Sequence, residues 1–337
     1  MKKIAIEEHF TTEEHLDHLQ LILQRRYSGP ELIQEEEHLG LELPFLFPEK
    51  NEQAMARLLD MGAGRIKEMD QTGIDMQVLS LVSPGIQVFD AATGTTLAKK
   101  TNDRLYEAIQ EFPERLSGFA GLALQSPEDA ADELERAVKE LGFKGAVVNS
   151  HTKGEYLDDK KYSVFFRRAE QLGVPLYIHP RAPSPSMIQP YLGYPLLSTP
   201  LCGFAAEVSL HALRLICSGL FDKLPKLKII LGHLGEALPY WLWRLDNMWQ
   251  RAPSYKNLRK TPSQYFKDNF LVTTSGLFSQ PSLICAYLAL GADSILFAID
   301  YPFESSETAV QFIRDAPICD TDKEKILHLN AEKLLSL

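Results

Sequence analysis

The feature that most limits what this chain can fold into is an alternation. Short apolar runs are each followed by a helical pattern, eight times over. The runs are Ile4-Ala5-Ile6, Gln77–Val82, Leu116–Leu124, Gly145–Asn149, Val174–His179, Leu227–His233, Phe270–Thr274 and Ser294–Asp300. Several are apolar almost throughout, as expected of parallel strands covered on both faces. Helical patterns occupy Thr11–Gln24, Glu52–Gln71, Thr95–Phe112, Pro127–Leu141, Lys160–Leu172, Ala205–Ser218, Glu236–Gln250 and Ser282–Leu290, with two more closing the chain at Leu337. Strands alternating with helices imply parallel pairing, and eight such units can close into a (β/α)8 TIM barrel. An open doubly wound sheet is the competitor, but no Gly-rich phosphate turn follows the first run.

The length of 337 residues suits one elaborated barrel spanning residues 1–337. Two stretches depart from the alternation. Residues 25–50 collect Pro30, Pro44, Pro48 and the acidic run Glu35-Glu36-Glu37, and are expected to form an insertion or lid. Pro180 to Pro200 reads as a long loop after the fifth strand. A net charge of -10 argues against nucleic-acid and anionic-membrane partners. The four cysteines are scattered without a CxxC pair, and no run of about 18 apolar residues stands out. A soluble, cytoplasmic protein with reduced thiols is expected.

In a TIM barrel, chemistry sits at the C-terminal ends of the strands. The first strand breaks into Glu7-Glu8-His9, so Glu7 and His9 share a face. The fifth strand ends in His179, the sixth in His233 and the last in Asp300. A buried carboxylate beside an imidazole is costly unless compensated, and a divalent metal would compensate it. A mixed imidazole and carboxylate set suits Mn²⁺ or Zn²⁺, and no thiolate stands at a strand end. A lone strand-end histidine is more often a satisfied core residue; the coincidence of five such groups favours a site. Glu236, three residues after His233, can orient and charge that imidazole for acid–base work, or simply favour a helix N-terminus. Arg244 can meet a substrate anion or an acidic neighbour. His151, His211 and His328 fall away from strand ends and read as structural or exposed.

Glu-x-His at the first strand, Tyr-Ile-His-Pro at 177–180, Leu-Gly-His-Leu-Gly-Glu at 231–236 and Ile-Asp-Tyr-Pro-Phe-Glu at 299–304 together resemble the metal-dependent hydroxybenzoate decarboxylases. These belong to the amidohydrolase superfamily, in the branch related to aminocarboxymuconate semialdehyde decarboxylase. Glu7-x-His9, in place of the His-x-His of many amidohydrolases, is similar to the γ-resorcylate and 2,3-dihydroxybenzoate decarboxylases. Asn149-Ser-His-Thr-Lys-Gly-Glu-Tyr156 is more similar to 5-carboxyvanillate decarboxylase. The resemblance implies one divalent metal per subunit, Mn²⁺ first and Zn²⁺ second, held by Glu7, His9, His179 and Asp300. It implies catalytic support from His233 and Glu236.

The expected reaction is non-oxidative decarboxylation of an ortho-hydroxybenzoate, γ-resorcylate-like, to CO2 and a phenol. The substrate's carboxylate and phenolate oxygen would chelate the metal, and Asp300 would protonate the ring carbon. Arg244 and Phe303 are the candidate substrate contacts. Phe10, Phe278 and Tyr301 are further residues that could wall the ring or serve as core. The partner is a small aromatic acid, with a homo-oligomer, dimer or tetramer, expected. A hydrolase acting through metal-bound hydroxide is the rival enzyme, and a barrel that only binds a ligand is the rival non-enzyme.

Overall fold

The computed structural model describes residues 1–26, 52–251 and 258–337. The proposed insertion over residues 25–50 therefore lies almost wholly outside the described residues. Among the described residues nine strands follow in order: β1 (Ile4–Phe10), β2 (Met76–Leu81), β3 (Leu116–Gly118), β4 (Ala120–Gly121), β5 (Ala146–Asn149), β6 (Leu176–His179), β7 (Ile229–Leu231), β8 (Phe270–Thr273) and β9 (Ile295–Leu296). All pairing between these strands is parallel, β1-β2-β3 in one ladder and β4 through β9 in the other.

The ladders meet at two seams. At the first, β3 and β4 are one stave of the barrel interrupted at Phe119, whose N–H still donates to Leu79 O at 2.9 Å. At the second, β9 runs back beside β1. Ile6 N–H donates to Phe297 O (3.2 Å), Asp300 N–H to Glu7 O (3.0 Å) and His9 N–H to Tyr301 O (2.7 Å). The result is the eight-staved (β/α)8 barrel, with its joints carried by a few main-chain bonds rather than continuous ladders.

The barrel interior is filled by Ile4, Ile6, Val78, Phe119, Val147, Tyr177, Ile230, Leu296 and Ala298, a set separate from the larger core between strands and helices. Branched and aromatic side chains from successive staves fill such interiors as a packed core.

Helix boundaries depart from the sequence reading where local chemistry intervenes. The pattern over 52–71 is two helices, Glu52–Leu59 and Ala63–Thr72, broken where the Asp60 carboxylate accepts the Gly62 N–H at 2.7 Å. The helix expected from Thr95 starts at Ala91, because the Asp90 side chain caps it through the Thr93 N–H. By length and composition Pro195–Cys217 passes as a membrane span. It is a short 3-10 turn followed by the helix Gly203–Cys217, and Val208, Ala212, Leu215 and Ile216 are in the core.

Candidate active site

The site begins with an irregularity in β1. Its register with β2 runs Ala5 to Gln77 and then Glu8 to Leu79, so one extra residue is accommodated between them. Ile6 fills the barrel interior, and Glu7, its neighbour, also points inward. A bulge produces this change of face, and bulges recur beside active sites. Glu7 and His9 then share the inner face, both 1% exposed.

Four side chains converge there. Single donor atoms of Glu7, His9, His179 and Asp300 all lie within 4.8 Å of one another. His9 Nε2 is 3.0 Å from Asp300 Oδ1, and His179 Nε2 is 3.5 Å from Glu7 Oε1. The two imidazoles meet edge-on, centroids 4.7 Å apart. Ser80 Oγ stands 3.4 Å from His9 Nδ1, on the far side of that ring.

The donor set fits a divalent cation on its own chemistry. Glu7 Oε1 is buried and accepts no hydrogen bond. Burial raises the Glu7 carboxyl above its ordinary range, His233 pulls it back, and the Asp300 charge adds to the rise. Burial and the neighbouring His9 hold His179 well below the usual imidazole range, leaving the neutral form that has a lone pair to give. An oxygen without a partner, facing the neutral His179 imidazole, the His9 ring and a second carboxylate, is the arrangement a Mn²⁺ or Zn²⁺ ion would complete.

His233 and Glu236 pair as their spacing suggested, but not by helical geometry. Leu234 and Gly235 have φ of 54° and 79°, and the helix starts only at Leu238. His233, Glu236 and Ala237 also have positive φ. This left-handed turn brings His233 Nδ1 to 2.5 Å from Glu236 Oε1, and leaves Nε2 facing Asp300 Oδ2 at 3.5 Å and Glu7 Oε1 at 3.9 Å. Burial would lower the His233 pKa, but the charges of Glu236 and Glu7 and the bonds to Asp300 and Glu236 outweigh it. The imidazole is held well above its usual range. Asp300 is the converse. Burial would raise it, yet bonds from His233 and His9 and their charge keep it well below the ordinary carboxylate range. The surroundings thus favour a proton on His233 over one on Asp300.

Phe303 borders the cluster, its ring 5.8 Å from that of His9. Arg244 is exposed on the Leu238–Gln250 helix. Phe10 and Tyr301 are core rather than open wall, 1% and 3% exposed. His151 and His211 are structural but not exposed. Both are fully buried, His151 Nε2 bonding Ala182 O and His211 Nε2 accepting the Leu157 N–H.

Two groups escaped the sequence reading. On the outer face, Glu8 is fully buried with Oε1 on the Ile299 N–H at 2.9 Å. Arg65, also fully buried, donates to His9 O (2.7 Å) and Gln77 Oε1 (3.1 Å) and lies 4.5 Å over the Tyr301 ring. On the inner face, Tyr177, Thr273 and Ser275 surround Glu7 Oε2. The i, i+2 spacing of Tyr177 with His179, both on β6, was the one available sign.

The amidohydrolase family model matches residues 18–337. The γ-resorcylate decarboxylase of Polaromonas sp. (strain JS666 / ATCC BAA-500) is 41% identical over 346 residues, covering 99% of this chain and 98% of the relative. The crystal structure of 5-carboxyvanillate decarboxylase from Sphingomonas paucimobilis superposes with a TM-score of 0.92 at 38% identity, covering 100% of this chain and 99% of that one. A dihydroxybenzoic acid decarboxylase from Polaromonas sp. JS666, solved with bound manganese and the inhibitor 2-nitroresorcinol, gives 0.88 at 40% identity, with 100% and 97% coverage. This chain belongs to the amidohydrolase family, in its branch of metal-dependent aromatic-acid decarboxylases.

Proposed function

We propose that the protein removes the carboxyl group of an ortho-hydroxybenzoate, γ-resorcylate-like, without oxidation, releasing CO2 and a phenol. The observation that carries this reading is the four-donor cluster with its unpartnered oxygen, beside which His233 Nε2 stands 3.5 Å from Asp300 Oδ2 with Glu236 on its other nitrogen. Glu7, His9, His179 and Asp300 would hold one divalent ion, manganese before zinc. Such an ion supplies charge neutralisation and a template for an anionic, oxygen-rich substrate.

The remaining work falls to the chain. Asp300 is the group that gives a proton to the ring carbon bearing the carboxylate; the C–C bond then breaks, its electrons return to the ring and CO2 leaves. Asp300 rests ionised, so its proton must arrive first. His233 Nε2, 3.5 Å from Asp300 Oδ2, holds that proton, and Glu236 keeps the ring charged and oriented. Phe303 offers an apolar edge to the substrate ring, and its place beside His9 supports that role.

The subunits assemble as a homo-oligomer, a dimer or tetramer. Tyr194, Tyr240, Trp243 and Leu288, each more than 70% exposed, supply apolar surface for contact. A cytoplasmic location is supported by the four cysteines, all free thiols.

The test is loss of ultraviolet absorbance and release of CO2 across a panel of hydroxybenzoic acids with manganese-loaded protein. Turnover of ortho-hydroxy acids, and inactivity on their para-hydroxy isomers, is the expected result. Hydrolysis of a lactone or amide without CO2 release would overturn it.

A further inference from the structure

Glu7 stands where a chain of this fold could place a histidine, and its two oxygens have unlike surroundings. Oε2 is approached by three hydroxyls: Tyr177 Oη, Ser275 Oγ and, at 3.0 Å, Thr273 Oγ1. Oε1 has none. The hydroxyls come from across the ring. Tyr177 is on β6, the stave opposite β1, Thr273 ends β8, and Ser275 lies two residues on. They also contact one another, Tyr177 Oη to Thr273 Oγ1 at 3.1 Å and Thr273 Oγ1 to Ser275 Oγ at 2.8 Å. Each hydroxyl has one proton, and all three are satisfied if each is given to Oε2, which has none to return. Gly232 completes the enclosure. A Cβ there would lie 3.0 Å from Oε2 and 3.2 Å from both Oε1 and Tyr177 Oη.

We propose that Tyr177, Thr273 and Ser275 are positioning residues that saturate Glu7 Oε2, so that the carboxylate offers the metal a single oxygen, Oε1. The proposal rests on the reading of Glu7 as a metal ligand. With Oε2 engaged three times, a bidentate mode would require breaking several buried hydrogen bonds at once, each of which leaves a polar atom unsatisfied. A carboxylate fixed this way imitates a histidine at the same strand end: one donor atom in one direction, but with a negative charge. Ser275 has a second task. Its Oγ accepts the His233 N–H at 3.2 Å, so one hydroxyl touches both the ligand carboxylate and the backbone of the proton carrier. Outer partners of this kind set the direction and basicity of the ligands they touch.

The experiment is Mn²⁺ titration of metal-stripped, full-length protein by calorimetry, with the Mn²⁺ electron paramagnetic resonance spectrum as a second readout. Tyr177→Phe and Thr273→Val should each weaken Mn²⁺ by about 10- to 100-fold, and change the resonance line shape as Glu7 gains freedom. Thr273→Ser keeps the hydroxyl and should restore wild-type affinity and spectrum, which separates the bond from mere packing. In a Glu7→Gln background, Tyr177→Phe should weaken binding no further. Ser275→Ala should also lower kcat at saturating Mn²⁺ by more than Tyr177→Phe does, because it loses the His233 N–H as well. Wild-type Mn²⁺ affinity in all three hydroxyl deletions, with Glu7→Gln impaired, would overturn the cradle and leave Glu7 a ligand. Wild-type affinity in Glu7→Gln would remove the ligand reading and this proposal with it.

Discussion

His233 Nε2 and Asp300 Oδ2 face each other across 3.5 Å, and the side on which a proton rests between them decides what each residue can do. His233 is held charged by Glu236 at 2.5 Å, whereas Asp300 is held ionised by two imidazoles. Removing the carrier and removing the acid should therefore differ. His233→Asn should keep manganese, measured by elemental analysis, while kcat falls by about 10²- to 10⁴-fold, the usual range for a general acid–base group. Equal loss of metal would make His233 a ligand. Asp300→Asn retains an oxygen and nearly the same shape but cannot cycle a proton. It should bind substrate, yet fail both to decarboxylate it and to exchange deuterium into the phenol at the carbon that lost CO2. Exchange at the wild-type rate would return the proton to His233 or water. At this scale, the strand-end groups could be read directly from the sequence, because an imidazole or carboxylate closing an apolar run is conspicuous. Tyr177, Thr273 and Ser275 could not. A hydroxyl inside or just after a strand has no distinguishing spacing, and its role depends on which stave lies opposite.

The element that brings these groups together is the turn from Gly232 to Ala237, and the sequence suggested its outcome by the wrong geometry. An i, i+3 pair reads as one face of a helix, but four consecutive left-handed residues and a fifth, Ala237, make the contact instead. Hydrophobic periodicity says nothing about such a turn, and only Gly235 among these five lacks a Cβ penalty. The same limit explains the helix break at Asp60, which depends on one side chain capping its own backbone, and the early start at Asp90. The loop after β8 faces this turn. Gly276 has φ of +59°, and a Cβ there would sit 3.0 Å from His233 Cδ2 and 3.2 Å from Asp300 Oδ2. Gly276→Ala should lose about 1–3 kcal/mol of stability from backbone strain, and activity should drop because the new methyl presses on both partners. Chemical denaturation with parallel kinetics measures the two effects. Wild-type turnover in a folded variant would show that the His233–Asp300 spacing is not critical.

Over the whole molecule, the barrel was legible because eight apolar runs with intervening helices admit few topologies. The seams and the bulge in β1 were not, since they depend on how the ring closes rather than on any one run. Burial of polar groups was also hidden. His15 is fully buried between Thr11 Oγ1 (2.9 Å) and Gly85 O (3.3 Å). Burial lowers its pKa to about 4, and that of His211 to about 3. Both folded values are below the ordinary imidazole value, so the unfolded chain binds more protons. Stability is whole above pH ~6.5 and should fall as the pH drops toward 4, each histidine contributing about 1.4 kcal/mol per unit. Urea denaturation of wild type and His15→Gln between pH 7 and pH 4.5 would show the variant with the shallower slope. Identical slopes would mean that His15 is not kept neutral.

The joint between β9 and β1 holds the first strand of the chain against the last by three main-chain bonds. Glu7, His9 and Asp300 all stand on that joint; only His179 reaches in from elsewhere. An ion held there is a clasp on an otherwise weakly stitched hoop, tying residues nearly three hundred positions apart. Its affinity should then appear mechanically as well as chemically, since a ligand bound only to the closed form stabilises by about 2.7 kcal/mol at a hundred times its Kd. Manganese should slow amide hydrogen exchange at Ile6, His9 and Asp300 far more than at Phe119, across the other joint. Equal protection at both joints would mean that the ion stiffens the ring without fastening it.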